Sequence, residues 1–298
     1  MSTNVDTSLA TQPTGRAAQF AQTNSTSNPE DPILYGGWFC PFVQRVWIVM
    51  HEKSIRHQYI EINPYKKEPE FLALNPRGLV PTLAVPVPSS LQGQNQRKPL
   101  YESTVICEYL EEVYPGNKGS AGSGSARSSL LPTGSAYEKA RCRIWIDHIN
   151  SKIVPAFYRF MQHTPEKAYT LEDAREEFLR HIKTIVRESM VSVAKAGPWF
   201  LGGTFSMVDV MLAPWICRLF LFDVYKKGGL GVPPEGEGGA DEEVWVRWRI
   251  WVDAILNRES VRDTLSDPEM YVEAYKRYAE DTTQSEVAKA TRLGRNMP

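Results

Sequence analysis

From residue 33 to residue 113 the hydrophobic pattern changes period every few positions; beyond residue 136 it settles into a helical repeat and stays there. A chain written this way needs two kinds of core. Ile33-Leu34-Tyr35 is a short apolar run that reads as a strand, and Gly36-Gly37 breaks it so that the backbone can turn closely into the next segment. Pro41 then opens a helix-length segment ending at Met50, with proline in the first turn where its missing N–H costs little. Residues 57–62 read as a second strand, and residues 68–74 as a short helix ended by Asn75-Pro76-Arg77-Gly78. Val80 to Val85 supplies a third strand, a polar loop spans 86–98, and Leu100-Tyr101 begins or forms a fourth. Val105, Ile106, Tyr109 and Leu110 then recur at helical spacing up to Val113. The succession βαβαββα, with a parallel first pair, is that of a thioredoxin-like α/β domain.

The rest of the chain divides accordingly. Residues 1–28 hold 16 Ser, Thr, Asn or Gln without a periodic apolar pattern, so 1–30 is expected to be a disordered extension. The thioredoxin-like domain should occupy 31–115. A Gly/Ser-rich stretch makes 116–135 a flexible linker, 136–285 an all-α domain and 286–298 a frayed tail. In the second domain a long helix over 136–161 is expected to bend at Pro155, with further helices over 170–195, from Ser206, over 241–256 and over 268–280.

Thirty-four Lys+Arg against 35 Asp+Glu leave a net charge of -1, which offers no support for a nucleic-acid or charged-membrane partner. No apolar run has transmembrane length. Cys40, Cys107, Cys142 and Cys217 are too few and too scattered for a disulfide scaffold, which implies a reducing, cytoplasmic setting. The five histidines show no metal-ligand spacing.

Within this frame a few residues invite chemistry. Cys40, just before a Pro-started helix, meets unpaired N–H groups and the positive end of the backbone dipole, which favour thiolate; the competing reading is a buried small hydrophobe. The fourth position of Cys40-Pro41-Phe42-Val43 is not cysteine, so a dithiol couple within the motif is excluded. Val80-Pro81 reads either as an ordinary strand-start proline or as a cis turn offering strand-like hydrogen bonds to a peptide ligand. Glu102-Ser103 reads as a helix cap or as a clamp for a ligand carrying an ammonium and a carboxylate. Lys67 is a solvated turn lysine or a partner for a second carboxylate. Asp209, third residue of the helix after Ser206, reads as a structural cap. Trp215, Arg218 and Phe222 form one helical stripe, either core or the wall of an acceptor pocket.

The stretches Phe39-Cys40-Pro41-Phe42-Val43-Gln44-Arg45, Ile55-Arg56-His57, Asn75 to Pro81, Tyr101-Glu102-Ser103 and Cys107-Glu108-Tyr109-Leu110 resemble the cytosolic glutathione transferases, and among them the omega class. The resemblance is close over 33–115; in the helical half it is looser, though Leu201 through Asp209 and Pro214-Trp215 look like the family's sixth-helix region. It implies a catalytic Cys40 and a glutathione site containing Phe42, Lys67, Val80, Pro81, Glu102 and Ser103, with a cis bond at Val80-Pro81 and glutathione as cosubstrate. It also implies thiol transfer or reduction of a small hydrophobic, disulfide or thioether substrate, and a homodimer. Conjugation of glutathione, or non-catalytic carriage of aromatic ligands, are the alternatives.

Overall fold

The computed structural model describes residues 9–63, 65–87, 96–115, 129–191 and 197–295. Two compact units emerge: one formed by Thr7–Ser129 with Glu259–Asp267, the other by Leu130–Arg258 and Pro268–Pro298. The expected α/β thioredoxin-like fold followed by an all-α half is present.

In the first unit, strands β1 (Ile33–Gly36), β2 (Gln58–Glu61), β3 (Thr82–Val87) and β4 (Gln96–Tyr101) form one sheet in the order β2-β1-β3-β4. β1 and β2 run parallel, with Leu34 opposite Tyr59; β1–β3 and β3–β4 are antiparallel. The fourth strand is longer than the expected Leu100-Tyr101 because β3 and β4 continue their ladder to Val87 opposite Gln96. This takes both ends of the expected 86–98 loop into strand; residues 88–95 lie outside the described residues. Pro99 is tolerated since β4 is an edge strand.

Helix α1 (Gly15–Thr23) precedes β1. Then come α2 (Pro41–Glu52), α3 (Pro69–Leu74) and α4 (Ser103–Val113). Every residue of α2 from Val43 through Met50 is buried, the polar pair Gln44-Arg45 among otherwise apolar side chains.

α1 corrects the expectation of a disordered extension for 1–30, of which residues 1–8 lie outside the described residues. A polar sequence orders here because its few apolar groups find a prepared surface. Ala17 and Phe20 are buried, and the Phe20 ring stacks on His51 at 5.0 Å and meets Trp47 edge-on. The second correction is linked to the first. Residues 259–267, expected in the helical domain, belong with the sheet: helix α11 (Glu259–Arg262) and the turn after it receive α1. Ala17 N–H donates to Leu265 O at 3.0 Å, Arg16 pairs with Asp263 at 2.7 Å, and His51 Nε2 lies 3.1 Å from the same carboxylate.

The second unit comprises α5 (Ala136–His148), α6 (Val154–Met161), α7 (Leu171–Val191), α8 (Met207–Ile216), α9 (Phe220–Tyr225), α10 (Glu242–Asn257), α12 (Pro268–Ala279) and α13 (Glu286–Arg292). The expected bend at Pro155 takes the form of a π-helical turn, Ile149–Ile153, which joins α5 to α6. Proline cannot donate to the i−4 carbonyl and its ring crowds that carbonyl, and the wider turn just before it accommodates both. Of the helix expected over 170–195, residues 192–195 lie outside the described residues. The same holds for residues 116–128 of the linker expected at 116–135; Leu130 and Leu131 are buried, and Leu130 O accepts Met207 N–H at 2.7 Å. The tail expected at 286–298 contains α13, capped by Ser285 Oγ at 3.0 Å and buried at Ala288 and Ala290.

Asp209 organises this unit's centre. Its carboxylate is fully buried and accepts four hydrogen bonds: Phe200 N–H at 2.9 Å, Trp251 Nε1–H at 2.7 Å, Ser206 N–H at 2.8 Å and Ser206 O–H at 2.6 Å. It thus joins the entry loop, the start of α8 and the middle of α10. Burial pushes its pKa up and the four donors pull it down, with burial dominant. Asp209→Ala would strand these donors in the core, with an expected loss of about 3 to 5 kcal/mol of stability. Urea unfolding followed by tryptophan fluorescence measures it.

Candidate functional site

Cys40 occupies the N-cap of α2, with φ −79° and ψ 119°, and Pro41 comes next as the first helical residue. A turn delivers it there: Cys40 N–H donates to Gly37 O at 2.9 Å, closing Gly37-Trp38-Phe39-Cys40. Gly36 allows the approach, since a Cβ at that position would stand 2.6 Å from Val43 and 2.9 Å from the Tyr59 ring. The thiol is partly exposed, whereas Cys107, Cys142 and Cys217 are buried. Burial pushes the Cys107 thiol up to about 12 and Cys142 up to about 11, so neither competes as a thiolate. Val43, in the fourth motif position, is buried beneath the helix start.

The Val80–Pro81 peptide is cis, and Cys40 Sγ donates to Val80 O at 3.9 Å. Asn75 holds this turn from below. Its Nδ2 donates to Thr82 Oγ1 at 2.9 Å and to Leu79 O at 3.2 Å, while its Oδ1 accepts Arg77 N–H at 3.1 Å. Arg77 in turn pairs with Glu102.

Glu102 is the N-cap of α4 and carries φ +71°, a backbone region that residues with a Cβ seldom enter. Its carboxylate is half exposed. Ser103 beside it is buried, and its hydroxyl accepts Arg45 Nη1–H at 3.3 Å. Arg45 itself is buried in α2, its guanidinium carbon 5.4 Å from the Phe42 ring centroid. Lys67 lies over Gly78, where an added Cβ would stand 2.7 Å from Nζ.

Direct contacts therefore link Cys40 with Val80, Glu102 with Arg77, Ser103 with Arg45, and Arg45 with Phe42. Lys67 sits on the same 75–82 turn through Gly78. Arg45, Asn75 and Arg77 are bonded to these candidate residues or to their turn, a role that their residue types alone do not reveal. The available signal was Gln44-Arg45 interrupting an otherwise apolar helix, a polar pair that burial must satisfy.

Trp215, Arg218 and Phe222 belong elsewhere. Each is at most 1% exposed. Phe222 stacks on Phe160 at 4.1 Å and meets Phe157 and Phe178, while Arg218 donates to Pro214 O at 2.6 Å beneath Tyr271. Of the two readings of this stripe, core is the one realised, and the acceptor-pocket assignment is corrected: an i, i+3, i+4 apolar face is what a helix buries. Among the described residues of the helical unit, Leu219, Phe220, Leu230, Trp248 and Val252 line a surface groove.

The sheet order and a thiol at a helix start beside a cis-prolyl turn place the first unit among thioredoxin-like domains. Sequence comparison narrows the class. Residues 39–113 match the glutathione S-transferase N-terminal domain, and residues 168–254 the glutathione S-transferase C-terminal domain. The chain is 37% identical over 194 residues to glutathione S-transferase omega-1 of Sus scrofa, covering 64% of this chain and 68% of that protein. It is 29% identical over 210 residues to omega-2 of Homo sapiens, covering 67% and 72%. Glutathione transferase Omega 3C of Trametes versicolor, a solved structure, matches with a TM-score of 0.69 and 35% identity over 92% of this chain and all of that one. The chain belongs to the glutathione transferase superfamily and is omega-like within it. That membership supports glutathione-dependent catalysis in broad terms.

Gly78→Ala is expected to cost about 1 kcal/mol or more, since φ at Gly78 is +62° and the new Cβ meets Lys67. Adding Lys67→Ala should recover part of that loss, and a double-mutant cycle of urea midpoints reads the coupling directly.

Proposed function

We propose that this chain is a glutathione-dependent thiol transferase and reductase in which Cys40 is the attacking sulfur. The observation that carries the reading is the placement of a single, partly exposed thiol at the N-cap of a buried helix, with valine where a second thiol would stand. The first-turn N–H groups and the helix dipole at this end favour a thiolate. The other three cysteines are buried away from this role.

In the first half-reaction the Cys40 thiolate attacks the glutathionyl sulfur of a mixed disulfide. The old S–S bond breaks, the substrate leaves as a thiolate that takes up a proton, and Cys40 holds glutathione as a new disulfide. A second glutathione thiolate then attacks the glutathione sulfur of that disulfide, which releases oxidised glutathione and regenerates the Cys40 thiolate. With no neighbouring cysteine in the motif, the resolving thiol comes from solution. Reduction of dehydroascorbate and reductive cleavage of small aromatic thioethers fall within the same chemistry.

Glutathione is a zwitterionic peptide, and the site's groups suit it in kind. The Glu102 carboxylate suits the γ-glutamyl ammonium, and Ser103 with the first-turn N–H groups of α4 suits its carboxylate. The edge at Val80–Pro81 suits the cysteinyl backbone, Lys67 the glycyl carboxylate, and Phe42 lies next to the thiol. Arg77, paired with Glu102, and Arg45, bonded to Ser103, orient these two partners. A cytoplasmic homodimer is the setting we propose for this activity.

Cys40→Ala is expected to reduce glutathione-dependent transfer from a mixed disulfide to the uncatalysed rate, with retained circular dichroism and retained binding to immobilised glutathione. Turnover surviving intact would sink the mechanism. Cys40→Ser, assayed with a halogenated aromatic acceptor, distinguishes conjugation, which would persist, from thiol transfer, which would not. Glu102→Gln and Ser103→Ala are each expected to raise KM for glutathione by about 10- to 100-fold, the equivalent of one lost hydrogen bond to a charged group.

A further inference from the structure

Glu61, the last residue of β2, is hydrogen-bonded to the turn that carries Cys40. Its Oε1 accepts Trp38 N–H at 3.0 Å and its Oε2 accepts the Tyr59 hydroxyl at 2.6 Å. Trp38 is the second residue of the Gly37–Cys40 turn, two positions before the thiol. Its indole is buried, and Nε1–H donates to Ala10 O at 2.8 Å. The next residue of the β2 segment completes the clamp, Ile62 N–H donating to Gly36 O at 2.6 Å. Of the groups that anchor the turn in this way, the Glu61 carboxyl is the one that can change its charge.

We propose that Glu61 is a positioning residue for Cys40: its carboxyl group fixes the turn that presents the thiol, and the thiol feels whether that carboxyl is charged. The inference rests on Cys40 being the nucleophile. Burial, opposed by the hydrogen bonds from Tyr59 and Trp38, pushes Glu61 up to about 8. Charged groups on the elements packed nearby have other partners. Arg45 on α2 donates to Ser103, His51 on α2 and Arg16 on α1 meet Asp263, and Lys67 lies over Gly78. Tyr35 on β1 is pushed up by burial and feels Arg97. Both protonation states of Glu61 keep the clamp: the anion accepts from Tyr59 O–H, and the acid donates to the same hydroxyl while Trp38 N–H stays on Oε1.

The sign of the coupling comes from charge. Below about pH 8 the neutral acid leaves the Cys40 thiolate unopposed; above it, a partly buried carboxylate bonded to the same turn disfavours a second anion and makes the thiolate more basic. A more basic thiolate is the stronger nucleophile once formed, its rate rising with roughly the 0.4–0.5 power of basicity.

The test is the pH dependence of iodoacetamide alkylation at Cys40, read by peptide mass spectrometry between pH 5 and 10 on the full chain without glutathione. Wild type is expected to show two inflections, the second near pH 8, and a higher plateau at pH 10 than Glu61→Gln. Glu61→Gln, an isostere of the neutral acid, should show one inflection and match wild type at low pH. Tyr59→Phe removes a hydrogen bond that favours the anion, so its second inflection should move to higher pH; it also decides the matter if Glu61→Gln fails to fold. One shared inflection in all three proteins overturns the proposal even with Cys40 reactive. A Cys40 no more reactive than a free thiol overturns the reading on which it rests, and the two failures are told apart by the rate itself.

Discussion

A guanidinium with no access to water holds the two ends of the candidate site in register. Arg45 leaves α2 one turn after Cys40 and reaches Ser103 at the start of α4, so the helix that begins with the thiol and the helix that begins with Glu102-Ser103 are tied by a buried cation. Burying a charge is costly unless its donors are met, which makes such a tie specific: a planar fork that stays charged and spreads over the Phe42 ring suits the place, and a lysine would not. The same cation draws Cys107 down, yet burial still leaves that thiol at about 12. Helix packing and thiol placement thus share one interior contact.

Around that tie, the turn at 75–82 is built from side chains answering backbone groups. Asn75 spends both amide donors on the turn and on Thr82, and its oxygen on Arg77, which then reaches Glu102. A backbone outlier at Glu102 persists because its surroundings overdetermine it: Ile106 N–H on its carbonyl, Arg77 on its carboxylate, and the helix start beside it.

Much of this is legible in the residue pattern itself. Strand and helix periods place β1 to β3 and α2 to α4 within a residue or two, since each element buries a face set by its own spacing. Cys40, Val80–Pro81 and Glu102-Ser103 stand out because their neighbours mark a helix start or a strand entry. What stays hidden depends on partners far along the chain. Nothing local announces that Phe20 will lie on His51, that residues 259–267 will leave a helical neighbourhood for the sheet, or that Arg45 will turn inward. The stripe at Trp215, Arg218 and Phe222 is visible as a stripe, but periodicity alone does not say whether an aromatic face is sealed or open. Glu61 carries no sequence signal at all, being one acid in a strand whose alternate residues are already explained.

The closing of the first unit by α1 and residues 259–267 has a consequence for how the protein comes to be made. Arg16 and Asp263 are separated by 247 residues, and Thr14 reaches Ser266 across 252. As the chain leaves the ribosome, the sheet and its helices can assemble early, but α1 must wait for its partner until some 247 further residues have been synthesised. Until then Phe20 and the surface of α2 that receives it have only each other, and the unit built around the sheet stays unfinished while the helical segments between are made.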